Sequence, residues 1–491
     1  MIFAGKSALG IGGSVLVSLG AFGAGATPRD PVLFSAWPAG NGRVLATAVL
    51  YVGLALLLGD WVRMGHSVRA GRTNAREVVR AAWLWCVPLL CAPPLFSTDL
   101  YTYLAQGAVA HAGLDPYTHV PAEVPGAITE SAAGGWMSIP SPYGPLQILI
   151  VKSVLAVTGE NVVLGAFLTR LTMVAGLALL CFALPVLCRH LGARPDRALW
   201  MTVANPLTVL VVVSGGHNDL LMVGLLAAGT ALVLTGAPEL GFASVALAAA
   251  VKAPAAVALP FLVWVWAARR SGGRPSPRSH FVVFAASVSI VVATFGLCCV
   301  AAGVDLGWIR ALSANSVLEP WLSLPTALGK ICGLVLPGSA VATCRRAGWV
   351  VLAGVVTWLW WRSRAGGAAA VRGAAAALFA TVVLAPVSLP WYFTWPLVLG
   401  AATAWPTSRV AVAAAASTWL VVSTHPDGKS LLPWWGFGVL AVVSIGVGVL
   451  TALGPRAART EARVAGSLRF LTVGRLSAPT RPGDDGDRVR A

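Results

Sequence analysis

The sequence predicts an all-α polytopic membrane protein, a bundle of about 12–14 transmembrane helices with interfacial helices in its outer loops. Three observations carry this. Hydrophobic residues make up 57% of the 491-residue chain and charged residues only 11%, against about 25% charged in soluble domains. Apolar stretches recur at close to the ~20 residues that cross a hydrocarbon core. The alternating pattern of a membrane β-barrel is missing.

The formal charge is +17, yet the basic residues sit in short segments between apolar stretches and in the tail, where they orient helices. No folded basic domain is large enough for nucleic acid, so no nucleic-acid partner is expected. Arginines outnumber lysines 30 to 5, a bias that fits GC-rich bacterial coding. The eight cysteines show no metal-ligand spacing. Six lie in or beside apolar stretches as packing residues. Cys332 and Cys344 fall on the outer side, where spacing leaves a disulfide open.

Taken in order, residues 8–27 form a first apolar stretch, read as a retained anchor, and 43–62 a second. The segment 63–80 holds five arginines against Glu77 and is placed in the cytoplasm. The span 81–96 then runs outward, which puts Asp99 on the far side. A large outer loop follows over 97–161. Within it, 99–112 reads as an interfacial helix, apolar at Leu100, Tyr103, Leu104 and Val109. Residues 145–158 are too short to cross.

A span over 162–188 returns to Arg189, His190, Arg194 and Arg197. Spans 198–214 and 219–236 form a hairpin whose outer turn is Gly215-Gly216-His217-Asn218-Asp219. The stretch 239–268 poses a parity problem, because both its ends belong in the cytoplasm. Breaking it into two short helices at Lys252-Ala253-Pro254 solves this, since proline costs a helix interior about 3 kcal/mol. Further spans are expected at 281–301, 347–361, 370–387, 391–406, 409–424 and 434–453. Residues 1–453 thus form one membrane domain, and 454–491 a basic cytoplasmic tail expected to be disordered.

Asp99 heads the residues able to carry chemistry. A carboxylate there serves either as a general base or as a helix cap. Asp115 stands in an Asp-Pro turn, which is often purely structural. His217, Asn218 and Asp219 put three polar side chains at one hairpin end, where they cap the next helix or line a site. A His beside a carboxylate also suits a divalent metal. Lys252 and Arg170 are cations at membrane depth, which ordinarily face a cavity and a partner. A phosphate is one partner for them, and Asp99 or Asp219 another. Lys152 reads as snorkelling to the interface. Trp391 and Tyr392 fit an aromatic belt or a sugar-stacking platform. The combination suits an anionic, lipid-linked substrate.

Several motifs occur in order: STDLYTYLAQG (97–107), GLDPY (113–117), SPYGPL (141–146), NPL (205–207), GGHNDLLM (215–222), VKAP (251–254) and LPWYFTW (389–395). On these the chain resembles the membrane-embedded GT-C glycosyltransferases, and more closely the actinobacterial polyprenol-phosphomannose-dependent α-(1→6)-mannosyltransferases of lipomannan assembly.

The resemblance implies a multi-pass plasma-membrane enzyme with its active site on the outer face. Its donor would be polyprenyl-phosphate-mannose and its acceptor a lipid-anchored mannoside, joined with inversion. Asp99 would be the catalytic base. Asp115, His217, Asn218 or Asp219 would supply acceptor contacts or a second acid. Lys252 and Arg170 would hold the donor phosphate, and Tyr101, Tyr143, Trp391 and Tyr392 would touch sugar or lipid. Many GT-C enzymes carry two adjacent acidic residues here, whereas this chain has Thr98 before Asp99. No cofactor is required by this reading, and metal dependence is left open. A polyprenyl-lipid flippase, or a transferase for another sugar, would share the helices and the cations.

Overall fold

The protein is described here from a computed structural model covering residues 7–27, 41–273, 275–312, 319–335, 339–429 and 431–453. The tail 454–491 lies outside the described residues. The first three helices, α1 (Ala8–Ala24), α2 (Asn41–Arg69) and α3 (Ala75–Leu90), pack together. Gly13 of α1 and Gly53 of α2 meet where no Cβ would fit, the close approach that small residues allow between membrane helices. Asp60 is buried in α2 and well partnered: it accepts from the Gly10 amide at 2.9 Å and from Arg63 at 2.7 and 3.0 Å.

The expected arginine-rich loop over 63–80 is mostly helix. Arg63 and Arg69 belong to α2, and a capping box between Asn74 and Glu77 starts α3 six residues earlier than expected.

The segment after α3 carries α4 (Asp99–His111), the single turn α5 (Ala127–Glu130) and α6 (Pro145–Thr158). α4 matches the helix expected over 99–112 to within a residue, and it is buried on more than its apolar stripe. Thr102 and Gln106, on its polar side, are also buried. Ser141 covers that side, its hydroxyl donating to the Gln106 Oε1 at 3.0 Å.

The helix α7 (Val162–Leu191) then crosses back to α8 (Pro195–Thr202), which bends by 44° into a π-helix over Leu207–Val213. Asn205 bridges the break: its Oδ1 accepts from the Leu207 amide at 2.9 Å, and its Nδ2 donates to the Met201 carbonyl at 2.8 Å and Ser417 Oγ at 2.9 Å. That accounts for the Asn-Pro-Leu motif.

The helices α9 (Asp219–Thr235) and α10 (Pro238–Val251) follow, then a 3₁₀ turn over Ala253–Ala258 and α11 (Leu259–Arg270). The break expected at Lys252 is present, with Lys252 itself extended at φ −153°, ψ 125°. The rest of the chain forms α12 (Pro277–Ala302), the short α13 (Trp308–Ala311), α14 (Leu324–Cys332), α15 (Ala340–Arg362) and α16 (Gly367–Leu384). After them come α17 (Thr394–Ala401), α18 (Thr407–Val422) and α19 (Trp434–Leu453). The span expected over 391–406 is instead a 3₁₀ turn, Pro390–Phe393, feeding the eight-residue α17.

The protein is thus an all-α, multi-pass membrane protein, with no strand beyond two isolated bridges among the described residues. Among the described residues six helices are long and apolar enough to cross a bilayer, or seven if α8 and the π-helix count as one bent span. Five shorter apolar helices accompany them. The expected 12–14 membrane helices include α1, α9 and α18, which at 16–17 residues are among the shorter ones.

The bundle has two chemically distinct ends. At one, arginines tie helix termini together. Arg69 donates to the carbonyls of Thr451 and Ala452, Arg194 to that of Val68 at 2.8 Å, Arg197 to that of Trp405 at 2.9 Å, and Arg269 to that of Leu234 at 2.6 Å. At the other end lie α4, the 215–218 turn, Lys252 and the 388–393 segment.

Candidate active site

The site is built around a strained turn. Phe96 has φ 62°, a region that a bulky side chain seldom adopts, and its amide donates to the Pro426 carbonyl at 2.8 Å. Gly428, at φ +70°, packs so tightly on Ser97 that a Cβ would lie 2.5 Å from its backbone. Asp427 anchors the same loop by accepting from Arg43 at 2.8 Å and from the Lys429 amide at 3.0 Å. The turn delivers Asp99 to the first position of α4, its amide donating to Ser97 Oγ at 3.1 Å. Asp99 therefore starts the helix, but its carboxylate does not bond back to the helix amides as a cap would.

The Asp99 carboxylate instead lies 3.5 Å from Nδ1 of His217, with 13% of its own side chain exposed. His217 is fully buried and stacks on Trp391, ring centroids 3.8 Å apart. Burial, and then the positive charge of Lys252, hold the imidazole well below the usual histidine range, so it is neutral. Burial raises Asp99 to about 6; Lys252 opposes this, Asp219 adds to it, and the Ser97 hydroxyl opposes it.

Behind this pair lies a closed ionic group. Asp219, with no exposure, accepts from Lys252 Nζ at 2.8 Å and from Trp395 Nε1 at 2.5 Å. The ammonium also sits over the rings of Tyr392 at 4.5 Å, Trp395 at 5.7 Å and Tyr143 at 5.8 Å. Tyr143 reaches it because Gly144 is pressed against the Ala250 carbonyl, where a side chain has no room. Asn218 accepts from the Tyr103 hydroxyl at 3.5 Å, and Tyr103 meets Tyr143 edge-on.

In front of Asp99 opens a cavity of about 710 Å³. Its wall includes Ser97, Thr98, Trp136, Glu319, Trp321, Ser388, Trp391 and Lys429. The Trp391 Nε1 and the Ser388 Oγ are buried there without partners. Lys429 is exposed, with no bond to its ammonium among the described residues. Sequence reasoning missed Trp136, Glu319, Trp321, Ser388 and Lys429. They lie in connecting segments without periodicity, and only Trp321, beside an acid and a proline, carried any local signal.

Other expected residues go elsewhere. Arg170 is buried, and its Nη1 donates to the carbonyls of Leu89, Leu90 and Ala92 at 2.9–3.1 Å. It thus caps the end of α3 rather than joining Lys252. The Asp115 carboxylate accepts from the Tyr117 amide at 3.0 Å and Thr118 Oγ1 at 3.1 Å, a closed Asx turn. The Tyr101 hydroxyl donates to the Ala26 carbonyl, and Lys152 to that of Ala302. All eight cysteines are free thiols, with those of Cys332 and Cys344 side by side. Among the described residues no group of three His, Cys, Asp or Glu side chains is placed to share a metal. Asp219 is committed to Lys252 and Trp395.

Fold and site together describe a multi-pass membrane protein with a carboxylate–imidazole pair whose carboxylate, that of Asp99, opens onto a tryptophan-lined cavity. Comparison with known proteins narrows the class. A family model described as "Alpha-(1->6)-mannopyranosyltransferase, N-terminal domain" matches residues 7–268, and one described as "MptB C-terminal domain" matches 324–453. The chain is similar to α-(1→6)-mannopyranosyltransferase A of Mycobacterium tuberculosis, 38% identical over 90% of this chain and 88% of the relative. It is similar also to the A enzyme of Corynebacterium glutamicum, 33% identical over 77% of this chain and 84% of that protein. The B enzyme of the same organism is 28% identical over 81% and 72%. No solved structure matches. The chain belongs to the α-(1→6)-mannopyranosyltransferase family of membrane glycosyltransferases.

Proposed function

We propose that the protein transfers mannose from a polyprenyl-phosphate-mannose donor to the 6-hydroxyl of a lipid-anchored mannoside, with inversion at the anomeric carbon. The reaction would take place at the outer face of the plasma membrane. The observation that carries this reading is Asp99 at the floor of the cavity, raised to about 6. A base with that affinity is mostly ionised at neutral pH and still accepts a proton readily, the compromise that general-base catalysis favours.

In the proposed step the acceptor oxygen bonds to C1 of the mannose as its proton passes to Asp99. The C1–O bond to phosphate breaks, and polyprenyl phosphate leaves with the electron pair. His217, neutral and clamped by Trp391, orients the carboxylate. Asp219 and Lys252 form the charged wall behind them, with Lys252 resisting any further rise in the Asp99 pKa. Lys429, the unpaired cation of the cavity wall, is assigned to the donor phosphate in place of Arg170. Trp321 and Trp136, both partly exposed on the cavity wall, are assigned to the acceptor chain, since indole faces stack well against sugars. The outer-face assignment follows from the arginines gathered at the opposite end.

The test is an in vitro reaction of the purified protein with mannosyl phosphopolyprenol and a short α-(1→6)-mannoside, run with and without chelator. The reading expects an α-(1→6)-extended product from this donor. Transfer only from a sugar nucleotide, or only to a different hydroxyl, would contradict it. The chelator arm decides whether a metal takes part.

A further inference from the structure

We infer that the arginine-rich end of the bundle carries a binding site for an anionic glycerophospholipid, in the cleft between α11, α12 and α15. The cleft has a volume of about 1280 Å³, larger than the roughly 300–1,000 Å³ of drug-sized pockets. Its inner wall is apolar, with Val263, Phe284, Val288 and Val292 along the helices, and its mouth holds Arg362 and Arg364.

The charge is one-sided. Among the described residues no aspartate or glutamate lines the cleft, and neither arginine has a carboxylate partner. The Arg362 guanidinium rests 5.0 Å from the Trp358 ring and that of Arg364 5.0 Å from the Trp361 ring. Both are thereby held at the mouth, short of an anion. The wall also contains three polar atoms buried without a partner: Trp264 Nε1, His280 Nδ1 and Ser287 Oγ. An indole N–H only donates, so Trp264 calls for an acceptor that the described residues do not supply. A phosphate with ester carbonyls beneath it offers acceptors at two depths, and its acyl chains match the apolar wall.

The flanking helices favour lipid over protein. In α12 and α15 only 17% and 11% of the spanning window is buried, so the cleft opens sideways toward the bilayer. A second copy docked there about a two-fold axis would bring the same unpaired arginines together. The site lies at the end opposite Asp99 and does not depend on the proposed reaction.

The experiment is native mass spectrometry of the full-length protein in detergent, with phosphatidylglycerol and phosphatidylcholine in equal amounts. The wild type should retain phosphatidylglycerol at least fivefold more, since each arginine near a lipid surface is worth about 1 kcal/mol toward anionic lipid. In the R362Q/R364Q double variant that preference should fall to near parity, and in Val288→Trp, which fills the cleft, both lipids should be lost. Equal retention by the wild type would overturn the proposal, and this arm needs no variant to fold. So would selectivity that survives R362Q/R364Q, displacement of phosphatidylglycerol by polyprenyl phosphate, or a lipid-free dimer.

Discussion

The Asp99 carboxylate lies 3.5 Å from the Nδ1 of His217, whose ring stacks on Trp391 at 3.8 Å. The arrangement joins three separated parts of the chain: the start of α4, the turn before α9, and the 3₁₀ turn before α17. Each supplies one member, so the orientation of the carboxylate depends on the packing of the whole upper bundle.

The pH dependence follows from the Asp99 environment. A base raised to about 6 is protonated and inactive below that value. The rate under kcat/KM conditions should fall about tenfold per pH unit below pH 6 and stay level from 7 to 8. A profile flat down to pH 4.5 would exclude Asp99 as the titrating base.

Stability should respond in the opposite sense. Asp99 binds its proton more tightly folded, at about 6, than at the ordinary carboxyl value of 3.8. Its contribution is therefore fully present below pH 3.8 and lost as pH rises through 6. Asp99→Asn should melt higher than wild type at pH 7.5, by up to about 3 kcal/mol, and match it near pH 4. Thermal unfolding in detergent at the two pH values checks this.

The Lys252–Asp219 pair should behave as a buried unit. Lys252→Met alone leaves a buried carboxylate unpaired and should cost about 3–5 kcal/mol. The double variant Lys252→Met, Asp219→Asn should recover most of that loss. A double-mutant cycle with additive effects would show that the pair is not coupled.

Lys429 should act on donor affinity. Lys429→Ala removes one charged partner, worth about 1.5–3 kcal/mol in a hydrogen bond, and should raise the donor KM at least tenfold with little change in acceptor KM. Gly428→Ala, which pushes the same loop off Ser97, should lower kcat as well. Titrating each substrate separately against both variants distinguishes the two effects.

Features governed by local chemistry were legible in the sequence. Parity and Pro254 located the break at Lys252, and the Gly-Gly-His-Asn-Asp turn begins α9 where it was expected. The helices α6 and α19 have the expected bounds. Features governed by distant partners were not legible. Arg170 looked like a phosphate ligand because the α3 carbonyls it caps lie about eighty positions away. The partner of Gln106 on the polar side of α4, Ser141, lies beyond an irregular loop. Lys429 and Trp321 reach the cavity through close approaches such as Gly428 on Ser97, which leave no periodic trace in the chain.

The most direct test is transfer by Asp99→Asn, measured alongside donor binding. The substitution keeps the shape of the site and removes the proton acceptor. Mannosyl transfer should drop by about 10²–10⁴-fold while the affinity for mannosyl phosphopolyprenol stays within a few-fold of wild type. Turnover near the wild-type rate in a folded, donor-binding Asp99→Asn protein would contradict the assignment of Asp99 as the base.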